Sequence, residues 1–263
     1  MDVALSLAQQ HLCVTVIIPA RNEAPNLQHV LPHLPAFVHE VILVDGHSTD
    51  NTDSVARDLL PTIRIVKQIG QGKGDAIRQG IEASTGDIIV LLDADGSADP
   101  LEISHFVEVL LLGADFAKGS RFIKGGRSHD ITRVRRMGNN ALISLVNILF
   151  GTRFSDLCYG YNAFWRHCLD YVTIDGSGFE IETLINIRMH LAGLTIREVP
   201  SIEYQRIHGI SNLHAIRDGW RILKLILRER RKKKQQTTVP VVRSPLVPIT
   251  QPQPQPLSEE VRL

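Results

Sequence analysis

The sequence predicts an α/β protein built on a Rossmann-like, mostly parallel sheet with helices on both faces. In the first hundred residues, short apolar segments rich in β-branched residues alternate with helical patterns, which is the order of a doubly wound sheet. Acidic and polar side chains follow three of these segments. Because ligands bind at the carboxyl ends of the strands in such sheets, we expect a ligand site there.

Four apolar segments are expected to be strands of the first half, and they cover residues 13–20, 40–46, 63–68 and 87–95. Their near-continuous apolar character indicates burial on both faces of the sheet. Helices are expected in the intervening segments 25–36, 51–60 and 74–85.

In the second half of the chain, predicted strands and helices alternate less regularly. Its expected elements are a helix at 101–112, a strand in 114–122, a helix at 138–150, a strand and turn in 156–166, a helix in 178–193 and a strand pair in 195–207. An amphipathic helix is expected at 212–235, with arginines around an apolar side formed by Ile216, Trp220, Leu223 and Leu227. The remaining residues, 236–263, are rich in Pro and Gln and are expected to form a disordered tail.

Composition argues against several classes of protein. The net charge of +1 gives no overall field for nucleic acid. The N-terminus lacks a signal-peptide pattern, and no apolar run reaches the length of about 18 residues that indicates a membrane span, so we expect a cytoplasmic protein. Cys13, Cys158 and Cys168 have neither metal-site spacing nor an even number, which favours packing roles in a reducing compartment.

Asp93 and Asp95 stand two positions apart, directly after an apolar strand. Close carboxylates repel each other, so a cation is expected between or beside them. Two carboxylates suit Mg²⁺ or Mn²⁺, which keep water and substrate phosphates as further ligands. The alternative is local, because Asp95 could cap the following helix or form an Asx-turn with Gly96.

Four segments in this order resemble family 2 glycosyltransferases of the GT-A fold: VIIPARNEAPNL, VILVDGHSTDNT, GKGDAIRQGIEASTGDIIVLLDAD and KGSRF. The resemblance covers residues 13–212 and is greatest to the dolichol- or polyprenyl-phosphate mannosyltransferases. These enzymes transfer a sugar from a nucleotide donor to a lipid phosphate. The resemblance implies an N-terminal extension (1–12), a GT-A domain (13–211) with a nucleotide-binding half (13–100) and an acceptor half (101–211), a basic helix (212–235) and a tail (236–263).

By this resemblance, the donor is held by residues of the first half and by two late residues. They are Pro19, Ala20, Arg21, Glu23, Asp45, Gly46, Lys73, Asp93, Ala94, Asp95, Arg206 and Ser211. Asp93 and Asp95 would also hold Mg²⁺ or Mn²⁺. For Glu23 and Asp45 helix capping is the alternative, and for the glycines around Lys73 a tight turn is as well supported.

The acceptor phosphate is expected to meet Arg121, Arg133, Arg135, Arg136 and Asp156. Arginine suits this role because its guanidinium group binds phosphate in a bidentate geometry; a solvated helix face is the alternative for 133–136. A phosphate acceptor needs no strong base. A hydroxyl acceptor would need one, and Glu180 or Glu182 is then the candidate. The residues expected to act in catalysis are therefore Asp95, Arg121, Arg136, Glu180 and Glu182.

The chain departs from the family pattern at several positions. Gly46 and His47 replace the second acid and the glycine of the usual V-D-D-G-S element, and Met137 replaces an arginine. Ser97 stands where the lipid-phosphate branch has glutamine, so it would be a weaker metal ligand, and Asp99 is a substitute. These changes leave the sugar and the acceptor open.

The sequence is compatible with three functions. The leading one is transfer from a nucleotide sugar to polyprenyl phosphate, the second is transfer to a hydroxyl, and the third is binding of a nucleotide sugar without catalysis. A nucleotidyltransferase is less well supported, because the expected glycine- and arginine-rich loop after the first strand is missing. The helix 212–235 is expected to lie at most on a membrane surface, or alternatively to cap the domain.

Overall fold

A computed structural model of the chain describes residues 2–209 and 214–235, and its main feature is a seven-stranded sheet. The strands of the chain are β1 (Val14–Ala20), β2 (Glu40–Asp45), β3 (Arg64–Lys67), β4 (Ile88–Leu91), β5 (Phe116–Ser120), β6 (Arg127–Ser128), β7 (Asn162–Trp165), β8 (Ile196–Pro200) and β9 (Ile202–Glu203). The large sheet has the order β3-β2-β1-β4-β7-β5-β8, and only β7 runs antiparallel to its neighbours. The predicted α/β fold with a mostly parallel sheet is confirmed.

Helices cover both faces of this sheet. They are α1 (Val3–Gln9), α2 (Ala24–Leu27), α3 (Thr52–Leu59), α4 (Lys73–Ala83), α5 (Ile103–Leu111), α6 (Arg133–Phe150), α7 (Ile181–Leu191) and α8 (Ala215–Gln235). Successive side chains of a strand point to opposite faces, so β1 contributes to two cores. Val16 and Ile18 pack into the core that includes Phe106 of α5, whereas Ile17 packs into the core that includes Ile77 of α4.

Three predicted elements differ from the structure. The helix expected at 25–36 is only α2 followed by a 3₁₀ turn at Leu31–His33, because Pro32 has no N–H to donate inside a helix. The strand expected to reach residue 95 ends at Leu91, since the two acids beyond it bind side chains outside the sheet. The strands β8 and β9 do not pair with each other, because Ser201 alone separates them and a hairpin needs at least two loop residues.

The helix α6 begins at Arg133, five residues earlier than predicted. The hydroxyl of Thr132 accepts a hydrogen bond from the backbone N–H of Arg135 (3.2 Å) and thereby caps the helix. The arginines at 133–136 consequently lie in its first turn, and not in a loop.

The C-terminal helix α8 packs against α6 and α7 through Ile222, Leu225 and Ile226, which are at most 4% exposed. Ile216, Trp220 and Leu227 of the predicted apolar side instead face outward. None of the helices in the described residues combines the length and the hydrophobicity that a membrane span requires. The tail and residues 210–213, between β9 and α8, lie outside the described residues. The predicted domain boundaries remain a prediction.

We expect Gly80→Ala to lower the free energy of unfolding by about 1–3 kcal/mol, as overpacking does in other proteins. A Cβ atom at this position of α4 would overlap the side chain of Ile17 on β1 and press on Val44. The matched control is Gly138→Ala in α6, where nothing lies within 4 Å of an added Cβ. This control should stabilise the protein by roughly 0.5–1 kcal/mol. Urea unfolding followed by circular dichroism measures both, and equal effects would contradict the packing argument.

Candidate functional site

A cleft of about 810 Å³ opens at the carboxyl ends of β1, β2 and β4. The wall contains most of the residues predicted to bind a donor, namely Pro19, Ala20, Arg21, Glu23, Gly46, Lys73, Asp93, Ala94, Asp95 and Arg206. Asp45 does not line it, and Ser211 lies outside the described residues. The cleft stands where a doubly wound sheet places its ligands.

The carboxylate of Asp45 is bound by neighbouring protein groups. The carboxylate accepts hydrogen bonds from the backbone N–H of Ser48 (3.2 Å) and from Lys67 Nζ (3.0 Å). Burial alone would raise the pKa of Asp45, but these hydrogen bonds and the Lys67 charge hold it below its usual value. In this arrangement Asp45 shapes the turn after β2, and Gly46 and His47 reach the cleft in its place.

His47 stands where the family has glycine, and its backbone has the left-handed conformation (φ 61°) that glycine adopts easily. The ring Nε2 lies 2.9 Å from the carbonyl oxygen of Gly70. His47 therefore ties the loop after β2 to the glycine-rich loop before α4, and both loops line the same side of the cleft.

The two acids after β4 each have a cationic partner. Lys73 Nζ lies 2.7 Å from Asp93 and 2.7 Å from Glu182, while Arg206 Nη2 lies 2.9 Å from Asp95. The other carboxylate oxygen of Asp95 accepts from the backbone N–H of Ser97 (3.0 Å), so the Asx-turn that was the alternative is also present. These acids are thus placed on the cleft wall by both a local turn and long-range ion pairs.

Arg206 also joins the acids of two different strand ends. Its Nη1 atom donates to Glu23 Oε1 (2.9 Å), after β1, while its Nη2 atom binds Asp95, after β4. Burial raises the pKa of Glu23, and the hydrogen bond from Asn26 and the charge of Arg206 only partly offset this effect. One guanidinium group thus bridges the predicted nucleoside contact and the predicted metal ligand.

The acids fit a magnesium or manganese ion. Asp93 and Asp95 offer hard carboxylate oxygens on a cleft wall, and their side chains are 35% and 15% exposed. In the described part of the chain, no three His, Cys, Asp or Glu side chains form a metal cage. A bound ion would therefore take its remaining ligands from water and a diphosphate, as Mg²⁺ commonly does.

Of the two candidate bases, Glu182 faces the cleft and Glu180 does not. Glu182 is 4% exposed in the first turn of α7. Burial raises the pKa of Glu182 more than the Lys73 ammonium lowers it. Glu180 accepts from the backbone N–H of Gly178 (3.1 Å), and its Oε2 has no hydrogen-bond partner within the described residues.

Arg121 and Asp156 form a buried ion pair, which corrects the expectation that they meet the acceptor. Arg121 Nε lies 2.7 Å from Asp156 Oδ2, and Nη1 lies 2.9 Å from Glu203 Oε1. The guanidinium group is 4.9 Å from the ring centre of Tyr159, and neither Arg121 nor Asp156 lines the cleft. Burial would raise the pKa of Asp156, but the Arg121 charge holds it below its usual value.

The arginines of α6 have different surroundings. Arg135 lines the cleft and binds Asp130 (3.2 Å). Arg136 lies over the ring of Phe122 (5.2 Å), and neither it nor the exposed Arg133 belongs to the cleft wall. The predicted cluster of phosphate-binding arginines is therefore reduced to Arg135.

Several wall residues were not predicted from the sequence. They are His47, Gln68, the loop 177–179, Glu203, His214, Arg217 and Arg221. The sequence does indicate that Arg217 and Arg221 lie together, since residues four positions apart share one side of a helix. Their relation to the cleft depends on how α8 folds back, which no local pattern reveals.

The model of the family "Glycosyl transferase family 2" matches residues 15–170 of the chain. Glycosyltransferase AglJ of Haloferax volcanii is 32% identical over 209 residues, which are 78% of this chain and 68% of that protein. A dolichol-phosphate mannosyltransferase of Pyrococcus furiosus is 29% identical over 211 residues. These residues are 76% of this chain and 59% of that enzyme. The polyprenol monophosphomannose synthase of Mycolicibacterium smegmatis is 28% identical over 75% of this chain and 80% of its own length.

The fold also has solved counterparts. Glucosyl-3-phosphoglycerate synthase of Mycobacterium tuberculosis, crystallised with Mn²⁺, UDP-glucose and phosphoglyceric acid, superposes with a TM-score of 0.70. The superposition covers 87% of this chain and 82% of that one, at 24% sequence identity. At this identity the likeness shows the fold alone.

We expect Arg121→Met to lower the free energy of unfolding by about 3–5 kcal/mol, because it leaves Asp156 buried without its cation. Arg136→Met is the control, since Arg136 is exposed beside the same Phe122 ring; an exposed substitution changes stability by at most about 0.5 kcal/mol. Denaturant unfolding of both variants gives the comparison. If Arg121 served only the acceptor, the variant would unfold like the wild type.

Proposed function

The chain belongs to glycosyl transferase family 2, and from this membership we propose that it moves a hexose from a UDP- or GDP-sugar to a polyprenyl or dolichyl phosphate. The reaction would be metal-dependent and would invert the anomeric carbon. The observation that carries the proposal is the pair Asp93 and Asp95 on a cleft wall after β4, each with a cationic side chain beside it.

The donor fits the side of the cleft formed after β1, β2 and β3. Glu23 offers carboxylate acceptors for hydroxyls there, and Gln68 and His47 add polar groups. The first turn of α4 begins at Lys73, and N–H groups at a helix start favour a nearby phosphate. A nucleoside between β1 and β2 would place its diphosphate beside Asp93 and Asp95.

A Mg²⁺ or Mn²⁺ ion at Asp93 and Asp95 would neutralise the charge that develops on the departing diphosphate. Arg206 would then leave Asp95 and bind a diphosphate oxygen, because its guanidinium group suits both carboxylate and phosphate. Lys73 stays between Asp93 and Glu182 and keeps the wall together.

Two relatives support a lipid-phosphate acceptor by their names, the dolichol-phosphate and polyprenol enzymes. The surface of α8 supports peripheral contact with an anionic membrane at the cytoplasmic side. Ile216 and Trp220 are 89% and 58% exposed, and α8 carries a run of basic residues at 228–234. Exposed apolar side chains flanked by cations are typical of interfacial helices.

A hydroxyl acceptor remains the second candidate, and Glu182 is the observation that favours it. This carboxylate faces the cleft, and burial raises its pKa, as is common for a general base. The hydrogen bond with Lys73 (2.7 Å) also allows a purely structural role.

A thermal-shift panel of UDP- and GDP-sugars, with and without Mn²⁺, tests the donor. We expect one nucleotide series to raise the melting temperature only with Mn²⁺. Arg206→Ala should raise the affinity for Mn²⁺ alone by about tenfold, which corresponds to ~1.4 kcal/mol, because Asp95 loses its internal partner. The same variant should bind the donor more weakly, since the diphosphate loses that guanidinium group.

Arg135→Ala is the matched control, because Arg135 lines the same cleft and contacts neither acid. Calorimetric titration with Mn²⁺ should give the control nearly the wild-type affinity. Equal affinities of the wild type and Arg206→Ala for Mn²⁺ would disprove the proposal that Arg206 exchanges Asp95 for the diphosphate. The absence of a thermal shift with any nucleotide sugar would disprove the proposed donor.

Glu182→Gln distinguishes the two acceptors. The amide can still accept the Lys73 hydrogen bond but cannot take a proton. With polyprenyl phosphate, we expect transfer to continue at near the wild-type rate, because the acceptor is already an anion. Loss of a general base lowers the rate by typically 10²–10⁴-fold, so a fall of this size, with donor binding unchanged, would favour the hydroxyl acceptor. The measurement is the initial rate of sugar transfer at saturating donor.

A further inference from the structure

We propose that the phosphate of the acceptor binds to Arg217 and Arg221 of α8, opposite Arg135 of α6. This inference rests on the proposed function and names the residues that select the acceptor. The sequence predicted that the acceptor phosphate meets Arg121, Arg133, Arg135, Arg136 and Asp156. Arg121 is buried in an ion pair with Asp156, and of the five only Arg135 lines the cleft. The acceptor anion therefore needs cations from elsewhere on the cleft wall.

The cleft wall in the described residues leaves few cations for a second anion. Lys73 and Arg206 are paired with the acids after β4. Arg21 follows β1 on the donor side. The remaining wall arginines are Arg135, Arg217 and Arg221, which come from the first turn of α6 and the first two turns of α8, two packed helices.

Asp218 pairs electrostatically with both arginines of α8, but within the described residues its Oδ1 atom accepts no hydrogen bond. Its side chain is 1% exposed, and Oδ1 lies 3.6 Å from Arg217 Nε and 3.5 Å from Arg221 Nη1. The Asp218 Oδ2 atom accepts from the backbone N–H of His214 (2.8 Å). Two cations thus share one carboxylate, and their side chains remain 59% and 52% exposed. Exposed guanidinium N–H groups are well suited to a phosphate.

The loop before α7 fixes where these arginines meet the cleft. Arg221 Nη1 lies 3.4 Å from the position a Cβ atom would take on Gly178. The neighbouring carbonyl of Ser177 accepts from the backbone N–H of Gly74 (3.0 Å), in the first turn of α4. Since α4 also carries Lys73, the arginines stand on the side of the cleft where Lys73 holds Asp93.

The periodicity of α8 matches an amphiphilic acceptor. With 100° per residue, Arg217 and Arg221 lie between the buried face of the helix and the outward stripe of Ile216 and Trp220. A lipid phosphate bound in the cleft by its phosphate group would therefore have its apolar chain beside the exposed side chains of Ile216 and Trp220. The same cations would also hold a soluble phosphate ester, so the experiment must separate the two sources.

The test uses the full chain with the double substitution Arg217→Gln and Arg221→Gln. The control is Lys224→Gln with Arg231→Gln, which removes two exposed charges from the same side of α8, outside the cleft wall. Farnesyl phosphate is the lipid probe, and glycerol 3-phosphate and inorganic phosphate are the soluble probes. Donor affinity is measured on every variant.

We expect the double variant to raise KM for farnesyl phosphate by about 100-fold, because two hydrogen bonds to a charged group are lost. The donor affinity of the double variant should stay within about twofold of the wild type. In the control variant, both the KM for farnesyl phosphate and the donor affinity should stay within the same range. Inorganic phosphate should compete with farnesyl phosphate in the wild type and much less in the double variant. Transfer to farnesyl phosphate but not to glycerol 3-phosphate would assign the lipid source.

An unchanged KM in the double variant, with a wild type that transfers to farnesyl phosphate, would overturn this inference and leave the proposed function standing. A wild type that binds no nucleotide sugar would overturn the proposed function itself. Loss of donor affinity in the double variant would also overturn the inference, because the arginines would then serve the donor. The single substitution Arg217→Gln avoids the contact of Arg221 with Gly178 and should still raise KM if the double variant folds poorly.

Discussion

The cleft depends on two cations that each hold two carboxylates together. Like charges at hydrogen-bond distances repel strongly, so the loops after β1 and β4 and the first turn of α7 could not converge without them. The two bridges are Lys73 between Asp93 and Glu182, and Arg206 between Glu23 and Asp95. On the proposed function, a metal ion or a diphosphate would therefore have to compete with side chains that already pair with these acids.

The second half of the chain is held by a different network, which is buried. Desolvation makes a buried charge unfavourable unless its hydrogen bonds are made elsewhere in the protein. Arg121 meets this condition with Asp156, with Glu203 and with the carbonyl oxygen of Cys158 (3.2 Å). Glu203 also belongs to the cleft wall. The network consequently fixes one side of the cleft but is not available to a ligand, which is why a motif arginine can be essential to the fold and still not touch the acceptor.

The sequence predicted what depends on neighbouring residues. The apolar, β-branched runs predicted the four parallel strands, and the acids after the fourth predicted that they would need cations. The short α2 was not predicted, although a local rule explains it, because Pro32 has no N–H to donate inside a longer helix. The partners of Arg121 were not predictable, since Asp156 and Glu203 are 35 and 82 residues away. The return of α8 to the cleft is equally non-local.

This contrast between local and distant information corresponds to the division between donor and acceptor sides in the proposed function. The family model ends at residue 170, and it includes the acids and most of the donor side of the cleft. Four cleft residues lie beyond it, namely Glu182, Arg206, Arg217 and Arg221. The acids after β4 and the segment after residue 170 thus lie on opposite sides of this boundary in the sequence. On the proposed function, that segment, including α8, would decide the acceptor by how it places its charges around the cleft.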